Sequence, residues 1–313
     1  MTVKLFYFAF DFILPLVVGY YLHSKNLLSE KACDRIIMIN ITVFCTVLSL
    51  LSIWVVPLQT GVLLWLPVFG IILSFVPALV AYLHKKYEDG PEKASYLASA
   101  MLSNTGTLGG LCTFFLFGEP GFAYIQIIAL AQNLLFLLFC FPLAHYYQQL
   151  FQNSKAAGKL SYTALFFNRK QLPVAGLAVG ALLSATAVPR PEVLGDVFQV
   201  LIHVSAWTAL IPAGYSIHFS TMRKYCGCCI KSLVPIKFIV SPLVAIVLAY
   251  PLFSDPVIFG SILIAASGPT GINAIVLARL YNLDLDLAGA AFFLTTAVFL
   301  GAVYPILFLW LHV

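Results

Sequence analysis

The sequence predicts an all-α membrane protein of ten transmembrane helices, arranged as two inverted five-helix repeats with broken crossover helices in the fourth and ninth positions. Three observations carry this expectation. The chain is 61% hydrophobic and only 9% charged, with a mean hydropathy of +0.98, whereas soluble domains carry about 25% charged residues. Apolar runs of spanning length recur ten times, at about 5–22, 35–56, 61–83, 94–116, 122–146, 172–188, 194–219, 233–253, 256–280 and 287–311. Two of these runs are interrupted by the same kind of polar, helix-loosening stretch: Ser103-Asn104-Thr105-Gly106, leading to Gly109-Gly110, and Ser267-Gly268-Pro269-Thr270-Gly271, leading to Asn273.

The first run holds Asp11 and Pro15, and no small-residue cleavage site precedes Tyr20-Tyr21-Leu22, so it reads as a retained span rather than a signal peptide. The fourth run carries the first break, and the fifth carries Gln132 and Asn133. The longest connection, 147–171, separates a first repeat (1–146) from a second (172–313) and is expected to be a cytoplasmic loop. The sixth run repeats the opening of the first: Pro173 precedes Gly176 and Gly180 as Pro15 precedes Gly19, and Gly176-x-x-x-Gly180 suits close helix approach. His203 and His218 in the seventh run read as packing or end-cap residues rather than proton relays. The ninth run carries the second break, displaced by 165 positions from the first; Glu119 follows Gly106 by thirteen residues, as Asp284 follows Gly271. Broken helices at matching positions in two halves point to a transporter's binding site.

Charge sets the expected orientation. With the N-terminus outside, Lys25, Lys31, Arg35, Lys85, Lys86, Lys93, Lys155, Lys159, Arg169, Lys170, Arg223, Lys224, Lys231, Lys237 and Arg279 fall in cytoplasmic loops or span ends, and only Lys4 and Arg190 fall opposite. This positive-inside bias places both termini on the non-cytoplasmic side. Five spans per half is an odd number, so the second half enters the membrane inverted relative to the first. The net charge of +5 is dispersed over short loops rather than gathered on one face, so nucleic acid is not an expected partner. Cys226, Cys228 and Cys229 form a cluster placed in a reducing cytoplasmic loop, where free or lipid-modified thiols are expected rather than a disulfide or a metal site.

The stretch Asn104-Thr105-Gly106-Thr107-Leu108-Gly109, ending in Leu116-Phe117-Gly118, resembles the first crossover of the auxin efflux carrier family. Pro269-Thr270-Gly271-Ile272, followed by Val276, Ala278-Arg279 and Tyr281-Asn282, is similar to the same family's second crossover, and ten spans in five-plus-five order extend the resemblance over the whole chain. Gly110-Leu111 and Ala274 stand where plant members carry prolines, and the short connection looks like that of prokaryotic members. The resemblance implies an organic-anion carrier, with auxin, malate and malonate as known substrate types, and a fold in which the fifth span packs beside the crossover.

Each break presents a half-helix N-terminus to mid-membrane, and two converging N-termini favour a carboxylate. Asn104, Thr105, Thr270 and Asn273 are the candidate neutral donors, with Gly106, Pro269 and Gly271 shaping the backbone and Gln132 and Asn133 completing the site. Asp11, the carboxylate well inside a span, is the candidate for coupling or charge balance. Arg279 reads as a topological or gate-side residue. The function expected is a secondary transporter of a small organic anion, an efflux carrier using elevator-type alternating access. The alternatives are a sodium-coupled, bile-acid-like symporter and a non-transporting sensor of the same fold. Facing aspartates, a Ser/His pair and a His-Glu-x-x-His helix are missing, which argues against an enzyme. No cofactor is expected. The expected partners are the organic anion, the lipid bilayer, a coupling proton or sodium ion, and a second copy of the chain in a homodimer. The expected location is a bacterial inner membrane.

Overall fold

Without water to bond backbone N–H and C=O groups, a chain in the bilayer must be helical wherever it meets lipid and can leave the helix only inside protein. The computed structural model of the protein describes residues 9–56, 60–84, 90–152, 172–215 and 219–312, and these are helical apart from connections and one isolated antiparallel bridge between Ser103 and Thr270. Lys4, Lys85, Lys86, His218 and the stretch 153–171 lie outside the described residues.

A π-helical turn (Ala9–Ile13) leads into α1 (Leu14–Ser24). Helices α2 (Glu30–Ile39) and α3 (Thr46–Trp54) run together through a π-helical segment, Asn40–Cys45, and are followed by α4 (Thr60–Leu83) and α5 (Pro91–Met101). After the first break, Thr105–Gly109 leads into α6 (Gly110–Leu135), and α7 (Phe141–Gln152) continues it. The second half comprises α8 (Leu172–Ala185), α9 (Val193–Tyr215), α10 (Phe219–Lys231), a π-helical segment Ile236–Val240, α11 (Ser241–Ala249) and α12 (Pro256–Ala266). After the second break come α13 (Ile272–Leu280), α14 (Leu285–Val298) and α15 (Tyr304–His312). Helix starts follow ordinary capping: Ser29, Asp255 and Asp284 accept from Ala32, Val257 and Leu287 amides respectively.

Six helical stretches among the described residues are long and apolar enough to cross a membrane: Glu30–Trp54, Leu64–Leu83, Thr105–Gln148, Val193–Tyr215, Lys224–Ala249 and Leu285–Leu311. Leu172–Ala185 and Pro256–Ala266 are apolar but shorter. Thr105–Gln148 counts 44 residues, and a straight helix of that length would be ~66 Å, about twice the hydrocarbon thickness. The chain turns back instead at Gly118, whose φ of +68° belongs to a conformation that glycine alone adopts freely. Gln126 then returns to donate to the Gly106 carbonyl at 2.6 Å, so the two arms lie side by side.

Helices α1, α2, α3, α8 and α9 form one group, with α9 on α1 and α2 and α8 on α3. Glycines bring their backbones into contact: a Cβ on Gly19 or Gly214 would lie 2.1 Å from the Ile211 or Leu16 carbonyl oxygen, and one on Gly176 or Gly180 would lie 2.4 Å from that of Thr46 or Leu50. The reading of Gly176 and Gly180 as packing residues agrees with this geometry. Inside the group Asn40 donates to the Ser205 carbonyl at 2.8 Å and to Thr208 Oγ1 at 2.7 Å, and Asn40 and Ser205 are 165 positions apart, the offset of the two breaks. The second group holds α4, α5, α6 and α10 to α14, packed around the two breaks.

Three placements differ from the sequence reading. Cys226, Cys228 and Cys229 lie on α10, not in a loop, because the helix starts at Phe219. Residues 147–152 continue α7 rather than belonging to the connection. Lys237, counted among the residues of loops and span ends, is fully buried.

A valine at Gly214 must push α1 away from α9, and overpacking of this kind costs about 1–3 kcal/mol. We expect Gly214→Val to melt several degrees below wild type in detergent, whereas Gly227→Ala, with nothing within 4 Å of the added Cβ, should melt at or above it.

Candidate functional site

The two breaks meet. Helix α5 ends at Met101, Leu102 turns extended, and α12 ends at Ala266. The freed stretches then pair as a minimal antiparallel ladder: Asn104 N–H donates to the Pro269 carbonyl at 2.8 Å and Gly271 N–H to the Leu102 carbonyl at 2.9 Å. Each break thereby satisfies the other's backbone, which is what makes both tolerable away from water. Thr270 fastens the knot. Its N–H donates to Thr295 Oγ1 of α14 at 2.9 Å, and its hydroxyl donates to the Ser99 carbonyl of α5 at 3.0 Å. Fully buried and committed on both sides, Thr270 is a brace in this structure rather than the open donor expected from the sequence.

Gln132 braces the first break. With its amide oriented to suit its neighbours, it donates to the Ser103 carbonyl at 2.8 Å and to Thr105 Oγ1 at 3.2 Å, and accepts from Ser103 N–H at 3.0 Å. Asn133, half-buried, makes no side-chain hydrogen bond among the described residues and lines neither cavity.

The breaks, alike in sequence, differ in chemistry. Asn104 caps the first: its side chain faces Leu108 N–H at 3.5 Å and its carbonyl accepts from Gly109 N–H at 3.0 Å. The second has Gly271 in the cap position and no side-chain cap. Gly271 N–H is bonded to Leu102 and Ala274 N–H to Gly271, and the amides of Ile272 and Asn273 have no backbone acceptor among the described residues. This uncapped N-terminus borders a cavity of about 610 Å³ between α2, α9, α13 and α14, and Asn273 is the sequence-predicted site residue that lines it. Glu30, Asp34, Asp286 and Arg279, all exposed, also line it. A second cavity, about 430 Å³ and lined by residues such as Phe75, Leu79, Met101 and Tyr147, is almost wholly carbon-walled and offers nothing to orient an anion.

Lys237, on the π-helical segment before α11, reaches the crossing itself. Its ammonium donates to Ser103 Oγ at 2.8 Å and to the Leu102 carbonyl at 3.2 Å. Sequence reasoning placed it at a span end, although it stands five residues inside the 233–253 run, where an ionisable residue is functional by default. Gln126, on the returning arm of α6, is the other residue at the breaks that the sequence did not single out.

Asp11 is not in water. It is fully buried, with His203 Nδ1 at 2.6 Å and Trp207 Nε1 donating at 3.2 Å, so His203 is its partner rather than a packing residue. Neither partner belongs to the crossing.

The two helix groups also meet through aromatic rings. Phe12 packs on Phe115 and Tyr304, and Phe198 packs on Phe114 and Phe122. Arg190 of the first group makes a two-pronged pair with Glu119, its Nη2 lying 3.2 Å from Oε1, and also donates to the Leu51 carbonyl at 2.9 Å.

Comparison with known proteins bears on this architecture. A curated relative from Methanothermobacter thermautotrophicus, described as an uncharacterized transporter, is 24% identical over 286 residues, 90% of each chain. The family described as Membrane transport protein matches residues 10–307. Only the chain's extremities escape that match, and the protein therefore belongs to this family of transporters, the auxin efflux carrier family that its two break motifs resemble.

Proposed function

We propose that the protein is a permease for a small organic anion of the carboxylate class, such as malate, malonate or an auxin-like acid, and that it works as an efflux carrier by elevator-type alternating access. The observation that carries this reading is the uncapped N-terminus of α13 at a cavity of about 610 Å³, a volume usual for small-molecule sites. Unpaired amides and the helix dipole favour a carboxylate there. Asn273 adds a neutral donor from the cavity wall, while Asn104 and Thr105 lie on the facing break. Gly106, Pro269 and Gly271 set the backbone path, Thr270 and Gln132 brace it, and Asn133 belongs to the same helix as Gln132. Asp11, paired with His203, is the charge-balancing or proton-accepting group of the first helix group.

Ten spans in two inverted five-helix repeats account for the offset of 165 shared by the breaks and by the Asn40–Ser205 contact. The same symmetry relates the glycine contacts of α1 with α9 to those of α8 with α3. In this reading α1, α2, α3, α8 and α9 stay fixed while the group holding the crossing slides. The aromatic contacts and the Glu119–Arg190 pair close the outer side, and the cavity faces the cytoplasm of a bacterial cell. Export of an anion from a negative-inside cell gains about 2.3 kcal/mol per charge per 100 mV.

Sodium-coupled symport is the second reading, favoured by the carboxylates of Glu30, Asp34 and Asp286, which line the cavity. These groups are exposed, so their field is screened within about 10 Å at ordinary salt.

The deciding measurement is movement of labelled malate, malonate and indole-3-acetate in proteoliposomes under an imposed potential, with and without sodium or proton gradients. We expect potential-driven flux of one acid without sodium. Asn273→Ala should raise its half-saturation about tenfold, the loss of one hydrogen bond to a charged group, and Thr270→Val should lower thermal stability first. Flux only with sodium selects the symporter, and binding without flux selects the sensor.

The sliding itself is testable at Glu119 and Arg190. In a background without other cysteines, a cross-link between Glu119→Cys and Arg190→Cys should abolish flux and leave anion binding intact. Undiminished flux in the verified cross-linked protein rules the elevator out.

A further inference from the structure

Lys237 is the buried cation of the crossing, and its surroundings are unusual. Glu119 pairs with Arg190 and Asp11 with His203. Lys237, with no exposed surface, has no carboxylate within 4 Å among the described residues. Its partners are instead the carbonyl of Leu102, where α5 ends, and the hydroxyl of Ser103. A helix C-terminus carries partial negative charge from its unpaired carbonyls. In carriers built on broken helices, such ends and the unwound carbonyls beside them are where a coupling cation is held. The breaks also hold spare oxygen: the hydroxyls of Ser99, on the last turn of α5, and Ser267, just past α12, are buried and lack a hydrogen-bond partner among the described residues.

The Leu102 carbonyl also accepts from Gly271 N–H, the cap residue of α13. Lys237 is thus one carbonyl removed from the N-terminus that borders the cavity. It is too deeply buried to be a ligand itself; it is a positioning and charge-balancing residue acting through the first break on the second.

We propose that the Lys237 ammonium is a tethered cation, occupying through a covalent stem the place that a co-transported cation would take at the crossing. The protein accordingly stabilises its crossing, and balances a bound monoanion, without sodium. This deepens the anion-carrier reading, but its test needs no substrate.

Purified full-length wild type, Lys237→Ala and Lys237→Met are melted in detergent at equal ionic strength in N-methylglucamine, sodium or methylammonium chloride. Wild type should melt at one temperature in all three. Lys237→Ala, which opens room beside Leu102 and Ser103, should melt lower in N-methylglucamine and recover about 3 °C or more in methylammonium or sodium, since a ligand bound only by the folded state raises its melting temperature. Lys237→Met, which fills the space without charge, should be destabilised and show no recovery. A merely structural lysine predicts no difference among the salts. The proposal is overturned if Lys237→Ala melts alike in all three salts, or if wild type is itself stabilised by sodium. Should Lys237→Ala fail to fold in N-methylglucamine, its purification in methylammonium alone upholds the proposal, and failure in every salt overturns it. A wild type that moves none of the acids while Lys237→Ala shows the cation recovery defeats the anion reading and upholds this one.

Discussion

The backbone exchange between Leu102, Asn104, Pro269 and Gly271 is the constraint on which the rest depends. A helix broken inside an apolar chain exposes N–H and C=O groups that neither lipid nor aliphatic side chains can satisfy, at several kcal/mol for each unpaired group. Two breaks crossing antiparallel solve this for one another. Everything packed around them serves to keep them in register. Gln132 holds Ser103 from α6, Thr270 is tied to α5 and α14, and Lys237 closes the end of α5. The crossing is thus held from several sides at once, by α5, α6, α14 and the segment before α11.

The division into two helix groups follows from how each group is packed. Within the first, glycines allow backbone-to-backbone approach and Asn40 bonds across to α9. Close van der Waals contact and interhelical hydrogen bonds are the principal attractions left when lipid competes equally for apolar surface. Between the groups aliphatic packing is joined by aromatic rings and by the part-buried Glu119–Arg190 pair.

Much of the site was legible. The breaks, their offset and the acids that follow them stand in the sequence, and Asp284 takes the capping role that an acid ahead of an apolar run suggests. What stayed hidden was the division of labour among like residues. Thr270 and Asn273 are both small polar residues beside the same glycine, yet one is sealed between α5 and α14 while the other lines the cavity. Asn104 caps its half-helix and Gly271 leaves the other open, an asymmetry that follows from a side chain present in one break and missing from the other but that matters only once both meet. His203 read as packing because its partner, Asp11, is 192 positions away.

The sequence by itself determined that the chain is helical and membrane-embedded, that it breaks twice at corresponding places, and that its family is one of transporters. These properties rest on local chemistry: hydropathy, glycine and proline in apolar runs, and contiguous motifs. Which polar groups meet was decided by the tertiary structure alone. Lys237 shows why: its place in the sequence, a basic residue near the start of an apolar run, is equally that of a topology signal and of a buried cation. Only the packing of its segment against the end of α5, 135 positions away, makes it the latter, because burial and partners are set by neighbours in space and not by neighbours in the chain.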